Sequence, residues 1–276
     1  MRRLPRGDAL SLAHQQKAPQ GMTTAGKKRA QKKAPSGGTG WKRWGLTAAL
    51  VYVILALGVD ALATMGISWP FDWSVFQWRF ATPWRMLSTT PPDWTLARPV
   101  RAFDLYKFTL WFALPFCVCL KRMDWAWFSP SGWKRLDWGL LAGMMVLGAI
   151  AVLGIRVVPS LRAAYPGMSH LSPELRWAYA FAHLIWVFAW LPGWEFMHRY
   201  FLLRPADARF PRWGWTLIPL FETLYHLQKT LIEAGGMAVF SLILTAWSVK
   251  RRNILLPFLA HLYIEIMLIV CLYWLL

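Results

Sequence analysis

The chain has 276 residues, 57% of them hydrophobic and only 16% charged. A soluble domain is nearer a quarter charged, so this composition excludes an ordinary water-soluble globule and points to a polytopic membrane protein. The net charge of +18 does not signal a nucleic-acid partner: 11 of the 31 basic residues fall in the first 44 positions against one acid, Asp8, as in a basic cytosolic tail before a first membrane span.

Residues 1–44 form that tail. Positions 1–39 are rich in Lys, Gln, Ala, Gly and Pro without an apolar pattern, which predicts disorder. Residues 45–276 form the membrane-embedded domain. A first span is expected from Gly45 to about Trp69, interrupted by Asp60. Pro70 to Arg101 is rich in Trp and Pro and reads as an amphipathic loop at the interface. The second span covers about Leu105 to Leu120, closed by Lys121 and Arg122. The third covers about Trp138 to Val158. Pro166-Gly167 marks a turn. Ser172-Pro173-Glu174 then starts a long fourth span reaching Leu203, either tilted or broken at Pro192-Gly193. The fifth span is expected over Trp213–Leu227, the sixth over Gly236–Val249, and the seventh from Leu255 to the C-terminus. Lys121, Arg122, Lys134, Arg135, Arg204, Arg209, Arg212 and Lys250 to Arg252 fall on one side if the N-terminus is cytoplasmic. The expected fold is therefore all-α, a polytopic bundle of about seven transmembrane helices. Cys117, Cys119 and Cys271 all lie in apolar runs and read as buried thiols.

Ionisable residues at membrane depth mark functional sites. Glu195, His198 and Arg199 end the fourth apolar run, and Glu195 and Arg199 share a helical face at i, i+4. Glu222 and His226 share a face on the fifth span, as His261 and Glu265 do on the seventh. Lys229 and Glu233 repeat the spacing just after His226. Depths counted at about 1.5 Å per residue are compatible with one shared cavity for Glu195, His226 and His261. A carboxylate can act as general base in a dry site, and histidines can position water or stabilise an oxyanion. The same three residues suit a divalent metal such as zinc, although no HExxH is present. Duller roles exist for each residue: a structural ion pair for Glu195 and Arg199, a structural contact for His183 and His198, a prop for His226 in Glu222. His14 and His170 are expected in solvent.

The segment from Pro192 onward resembles the CPBP family of type II CAAX prenyl endopeptidases and bacteriocin-processing intramembrane proteases. Its EExxxR motif is matched by WEFMHR, with Glu195 and Arg199. FxxxH is matched by FETLYH, with His226, and HxxxN by HLYIE, with His261 and Glu265. HLQKTLIEAGG resembles the family's HxxKPxxE variant. Three departures stand out: Trp194 replaces the first glutamate, Phe221 is one residue out of phase, and Glu265 replaces the asparagine. The resemblance implies an intramembrane endopeptidase that cleaves near the C-terminus of lipidated or membrane-anchored proteins, including sorting proteases of the myxosortase type. It implies catalysis by Glu195, His226 and His261, supported by Arg199, Glu222 and Glu265, in a bacterial inner membrane. The partners are then the protein substrate and the lipid bilayer. The departures favour another expectation, a non-catalytic scaffold or immunity factor on the same fold. A transporter or proton relay would also use buried Glu and His, but it would more often show paired broken helices.

Overall fold

A computed structural model describes residues 39–64, 77–78 and 103–276, with side chains at 45–62 and from 103 onward. The expected disordered tail, and most of the expected interfacial loop, lie outside the described residues. The described part is mostly helical. Among the described residues four helices are long and apolar enough to cross a membrane: α1 (Thr39–Thr64), α3 (Arg135–Leu153, continued to Arg156), α8 (Leu231–Arg251) and α9 (Leu255–Leu275, with π geometry from Cys271). Only 28–39% of the residues in their apolar windows are buried within the protein. Val51, Ile54 and Leu55 on α1, and Val146, Leu147 and Ile150 on α3, stand exposed. Apolar side chains turned outward on long helices are stable against lipid and costly against water. The architecture is consistent with an all-α membrane bundle.

Five further helices complete the described part. α2 (Leu105–Leu120) is apolar but shorter, and it takes π geometry over Phe108–Ala113. A single turn, α4 (Pro159–Ala164), follows α3. α5 (Pro173–Phe196) starts where Ser172 caps it: the Ser172 hydroxyl accepts from the Leu175 N–H, with Pro173 in the first turn. It runs through a π-helical turn, Met197–Leu202, into α6 (Leu203–Arg209). Next comes α7 (Leu217–His226), followed by α8 after a four-residue turn. A two-residue antiparallel pairing, Gln77–Trp78 with Phe103–Asp104, lies just before α2.

Two expectations change. The fourth helix does not break at Pro192-Gly193; Pro192 lies inside α5, and the irregular turn comes one turn later. Gly193 serves a close approach instead. A Cβ there would stand 2.9 Å from backbone atoms of Trp111 and Phe112, so the missing side chain lets α5 pack onto α2. The segment expected as the fifth span also holds only a short α-helix. α7 has ten residues, about 15 Å at the helical rise against a hydrocarbon core of about 30 Å. It packs back along α8 as a short hairpin.

The main core is aromatic. Trp111, Trp194, Phe196, Tyr200 and Tyr179 are fully buried in it, and Trp111, Trp194 and Tyr225 pack on one another where α2, α5 and α7 meet. At one end, Asp137 ties α3 to α8: its carboxylate accepts from Trp247 Nε1 at 2.8 Å and contacts Arg251 Nη2 at 2.8 Å. It also accepts from the Lys134 N–H at 2.6 Å, closing the start of α3. α8 ends in a left-handed residue, Arg252 (φ 51°), whose N–H bonds to Ser248.

Candidate active site

The π turn Met197–Leu202 carries His198 and Arg199 into the core. π turns of this kind are frequent at functional sites because the extra residue re-aims the side chains that follow. Arg199, with no exposed surface, is the hub. Its Nη1 donates to Glu195 Oε2 at 2.7 Å and to Glu222 Oε1 at 2.8 Å. Its Nη2 donates to Glu222 Oε2 at 2.9 Å and to Ser241 Oγ at 3.3 Å. The guanidinium thus clasps one carboxylate with both nitrogens and a second with one, in the fork geometry that arginine suits. The pairing joins α5, α7 and α8.

Glu195 is the bridge to α9. Its other oxygen, Oε1, accepts from His261 Nδ1 at 2.8 Å. His261 Nε2 lies 3.8 Å from Glu265 Oε1, too long for a direct hydrogen bond and short enough for one water to touch both. Glu195, Glu222 and His261 are all buried.

Three histidines share one arrangement. His198 Nδ1 lies 2.9 Å from the Trp194 carbonyl, His226 Nδ1 lies 2.8 Å from the Glu222 carbonyl, and His261 Nδ1 lies on the Glu195 carboxylate. Each partner oxygen only accepts, so Nδ1 carries the hydrogen in all three. In its neutral form a ring held this way presents Nε2 as a bare lone pair. The rings surround Trp194: its centroid is 4.3 Å from His198 and 5.6 Å from His226, while Trp190 lies between it and His261 at 6.5 Å and 5.5 Å.

The structure therefore brings the sequence candidates together but rearranges their partners. Glu195 and Arg199 pair as their spacing requires. Glu222 does not hold the His226 ring with its side chain; the carboxylate goes to Arg199 and only the backbone carbonyl meets His226. His261 is held by Glu195 across helices, not by Glu265. Lys229 and Glu233 pair at 2.7 Å, and Lys229 also reaches the Tyr165 hydroxyl at 3.2 Å. Burial pushes the Tyr165 phenol up to about 12, so this hydroxyl stays protonated. Lys229 and Lys107 both lie close enough to Glu265 for their charges to act on it.

Both oxygens of Glu195 are engaged, and a guanidinium sits where a cation would need the carboxylate. Among the described residues no three His, Cys, Asp or Glu side chains are grouped to hold a metal ion.

A second buried set escaped the sequence reading apart from Asp60. Lys107 Nζ lies 3.6 Å from Asp60 and 4.0 Å from Asp104, and above the rings of Trp111 and Trp186 at 4.8 Å and 5.3 Å. The Tyr225 hydroxyl donates to Asp60, and its ring packs on Trp194, linking the two sets. The signal was present in the sequence: Asp104 and Lys107 sit at i, i+3 where an apolar run begins.

Compared with known proteins, the chain matches no family model, no curated protein and no solved structure.

Proposed function

We propose that the protein is an intramembrane endopeptidase of the CPBP type, cleaving near the C-terminus of lipidated or membrane-anchored proteins. The observation that carries this reading is the bond from His261 Nδ1 to Glu195 Oε1, made between helices 66 residues apart and fixed from behind by Arg199. A buried carboxylate behind an imidazole sets its tautomer and stabilises its charged form, the arrangement by which a His–carboxylate pair becomes a general base.

The roles follow from the hydrogen bonds. Glu195 stays ionised between Arg199 and His261, so it orients the ring instead of taking the water proton itself. His261 Nε2 removes a proton from a water held toward Glu265. The hydroxide oxygen attacks the peptide carbonyl, and the electron pair moves to the carbonyl oxygen. Collapse breaks the C–N bond, and the amine nitrogen takes the proton back from His261. His226, whose Nε2 is also a bare lone pair, accepts from the water or from the leaving group. In this reading the N-terminus is cytoplasmic, in a bacterial inner membrane.

Glu195→Gln tests the roles. The amide cannot both accept from Arg199 and accept from His261 in the same way, so the ring loses its fixed tautomer. The expected loss in kcat is about 10²–10⁴-fold, with little change in KM. His261→Ala should lose at least as much. Retention of full activity by Glu195→Gln would remove the proposed base.

Trp194 favours a second reading. This indole, 1% exposed, fills the position where the resembled family carries its first glutamate. A buried ring there suits a non-catalytic scaffold, held together by the same charged net.

A further inference from the structure

Peptide hydrolysis needs hydrogen-bond donors for the oxygen that becomes negative, as well as a base. This inference rests on the hydrolase reading. The motif side chains are poorly supplied with donors. His226 and His261 present lone pairs at Nε2, Glu265 as a carboxylate only accepts, and the asparagine of the resembled motif is replaced by that glutamate. Arg199 commits Nη1 and Nη2 to Glu195, Glu222 and Ser241, and only its buried Nε–H has no protein partner.

Donors do stand beside the histidines. Trp111, Trp190 and Trp194 are 1%, 8% and 1% exposed, and no protein group hydrogen-bonds the Nε1–H of any of them. An indole nitrogen can only donate. The three rings form one contiguous group, with centroids 5.5 Å apart for Trp111 and Trp194 and 6.5 Å for Trp190 and Trp194. The group touches His198, His226 and His261. Buried donors are nearly always satisfied, and three unmet ones in one contact group, two of them against the candidate histidine rings and the third, Trp111, packed on Trp194, are hard to account for as packing alone. Two other buried indoles without partners, Trp127 and Trp133, lie apart from this group: Trp127 rests on Tyr200, and Trp133 on Trp138 and Trp247.

We infer that Trp111, Trp190 and Trp194 form an acceptor-binding site that holds the carbonyl oxygen of the scissile peptide bond and stabilises its oxyanion. Trp194 then does not plug a lost active site. It contributes a donor where the resembled family places a carboxylate, and the base moves to the Glu195–His261 pair.

The test replaces each tryptophan in turn by β-(3-benzothienyl)alanine, which keeps the ring shape and substitutes sulfur for N–H. Trp127 is replaced in the same way as the control. With the protein in lipid nanodiscs, hydrolysis of an apolar anchor peptide should lose about 10²–10³-fold in kcat for a donor that reaches the oxyanion, with KM little changed and the Trp127 control at wild-type rate. A second arm needs no turnover. Indole ¹⁵N resonances are recorded while a hydrophobic tripeptide aldehyde, which hydrates to a tetrahedral diol, is added. Downfield movement of the Trp111, Trp190 or Trp194 signals, with Trp127 unmoved, supports the site. Wild-type kcat in all three variants together with unmoved signals overturns it. If the wild type cleaves nothing but the signals move, the acceptor site stands and the hydrolase reading fails.

Discussion

Arg199 shows how a single residue governs the site. It holds two buried carboxylates, and the side chains of the three are 0–1% exposed. Removing one partner of such a pair leaves a charge without water or counterion. Arg199→Met should therefore destabilise the protein by about 3–5 kcal/mol, read as a lower unfolding midpoint in denaturant. Glu195→Gln should cost far less, because the bidentate clasp on Glu222 survives. Equal losses for both variants would show that the cluster is not centred on Arg199. At this scale the sequence was partly readable. Spacing alone gave the Glu195–Arg199 pair, since four residues on one helix face must be neighbours. It misassigned Glu222 and His261, because i, i+4 rules describe a lone helix. A guanidinium on α5 and a carboxylate on another helix offered better partners than the residue one turn away.

Among the elements, the contact of α2 with α5 decides where the aromatic group sits. Backbone atoms of Trp111 and Phe112 stand 2.9 Å from where a Cβ of Gly193 would lie, so Gly193→Ala forces the two helices apart. The expected cost is about 1–3 kcal/mol in unfolding free energy, together with weakened contact between Trp111 and Trp194. A wild-type midpoint would show that the helices can give way freely. Pro192-Gly193 looked like a helix break in the sequence, since both residues are poor helix formers. In the fold they are a packing point, and the departure from α geometry falls at Met197–Leu202, where no proline or glycine announces it. α7 is shorter than the expected fifth span because its α-helix starts only at Leu217, after a 3-10 turn over Gly214–Thr216 that apolar length alone does not reveal.

For the whole molecule, the ends of the helices fix which segments share a side. Asp137 at the start of α3 touches Arg251 at the end of α8, so Lys134 and Lys250 belong to one face of the bundle. In a background free of Cys117, Cys119 and Cys271, Lys134→Cys and Lys250→Cys should react with the same side-restricted thiol reagent. Arg162→Cys, beyond the far end of α3, should react only from the other side. Reaction of Lys134→Cys and Lys250→Cys from opposite sides would contradict the bundle. Composition and hydropathy made the all-α membrane class legible, because no soluble core accommodates this much outward apolar surface. The number of crossings was not legible, since α2, α5 and α7 differ from full spans in length or in buried charge.

The central claim is that the Glu195–His261 pair is the working base of a membrane peptidase. The most direct measurement is mass spectrometry of C-terminally anchored membrane proteins from host cells expressing wild type, Glu195→Gln or His261→Ala at equal levels. The account predicts shortened C-termini with wild type and their absence with both variants. Unchanged protein lengths in all three strains, or the same shortened products in all three, would contradict it.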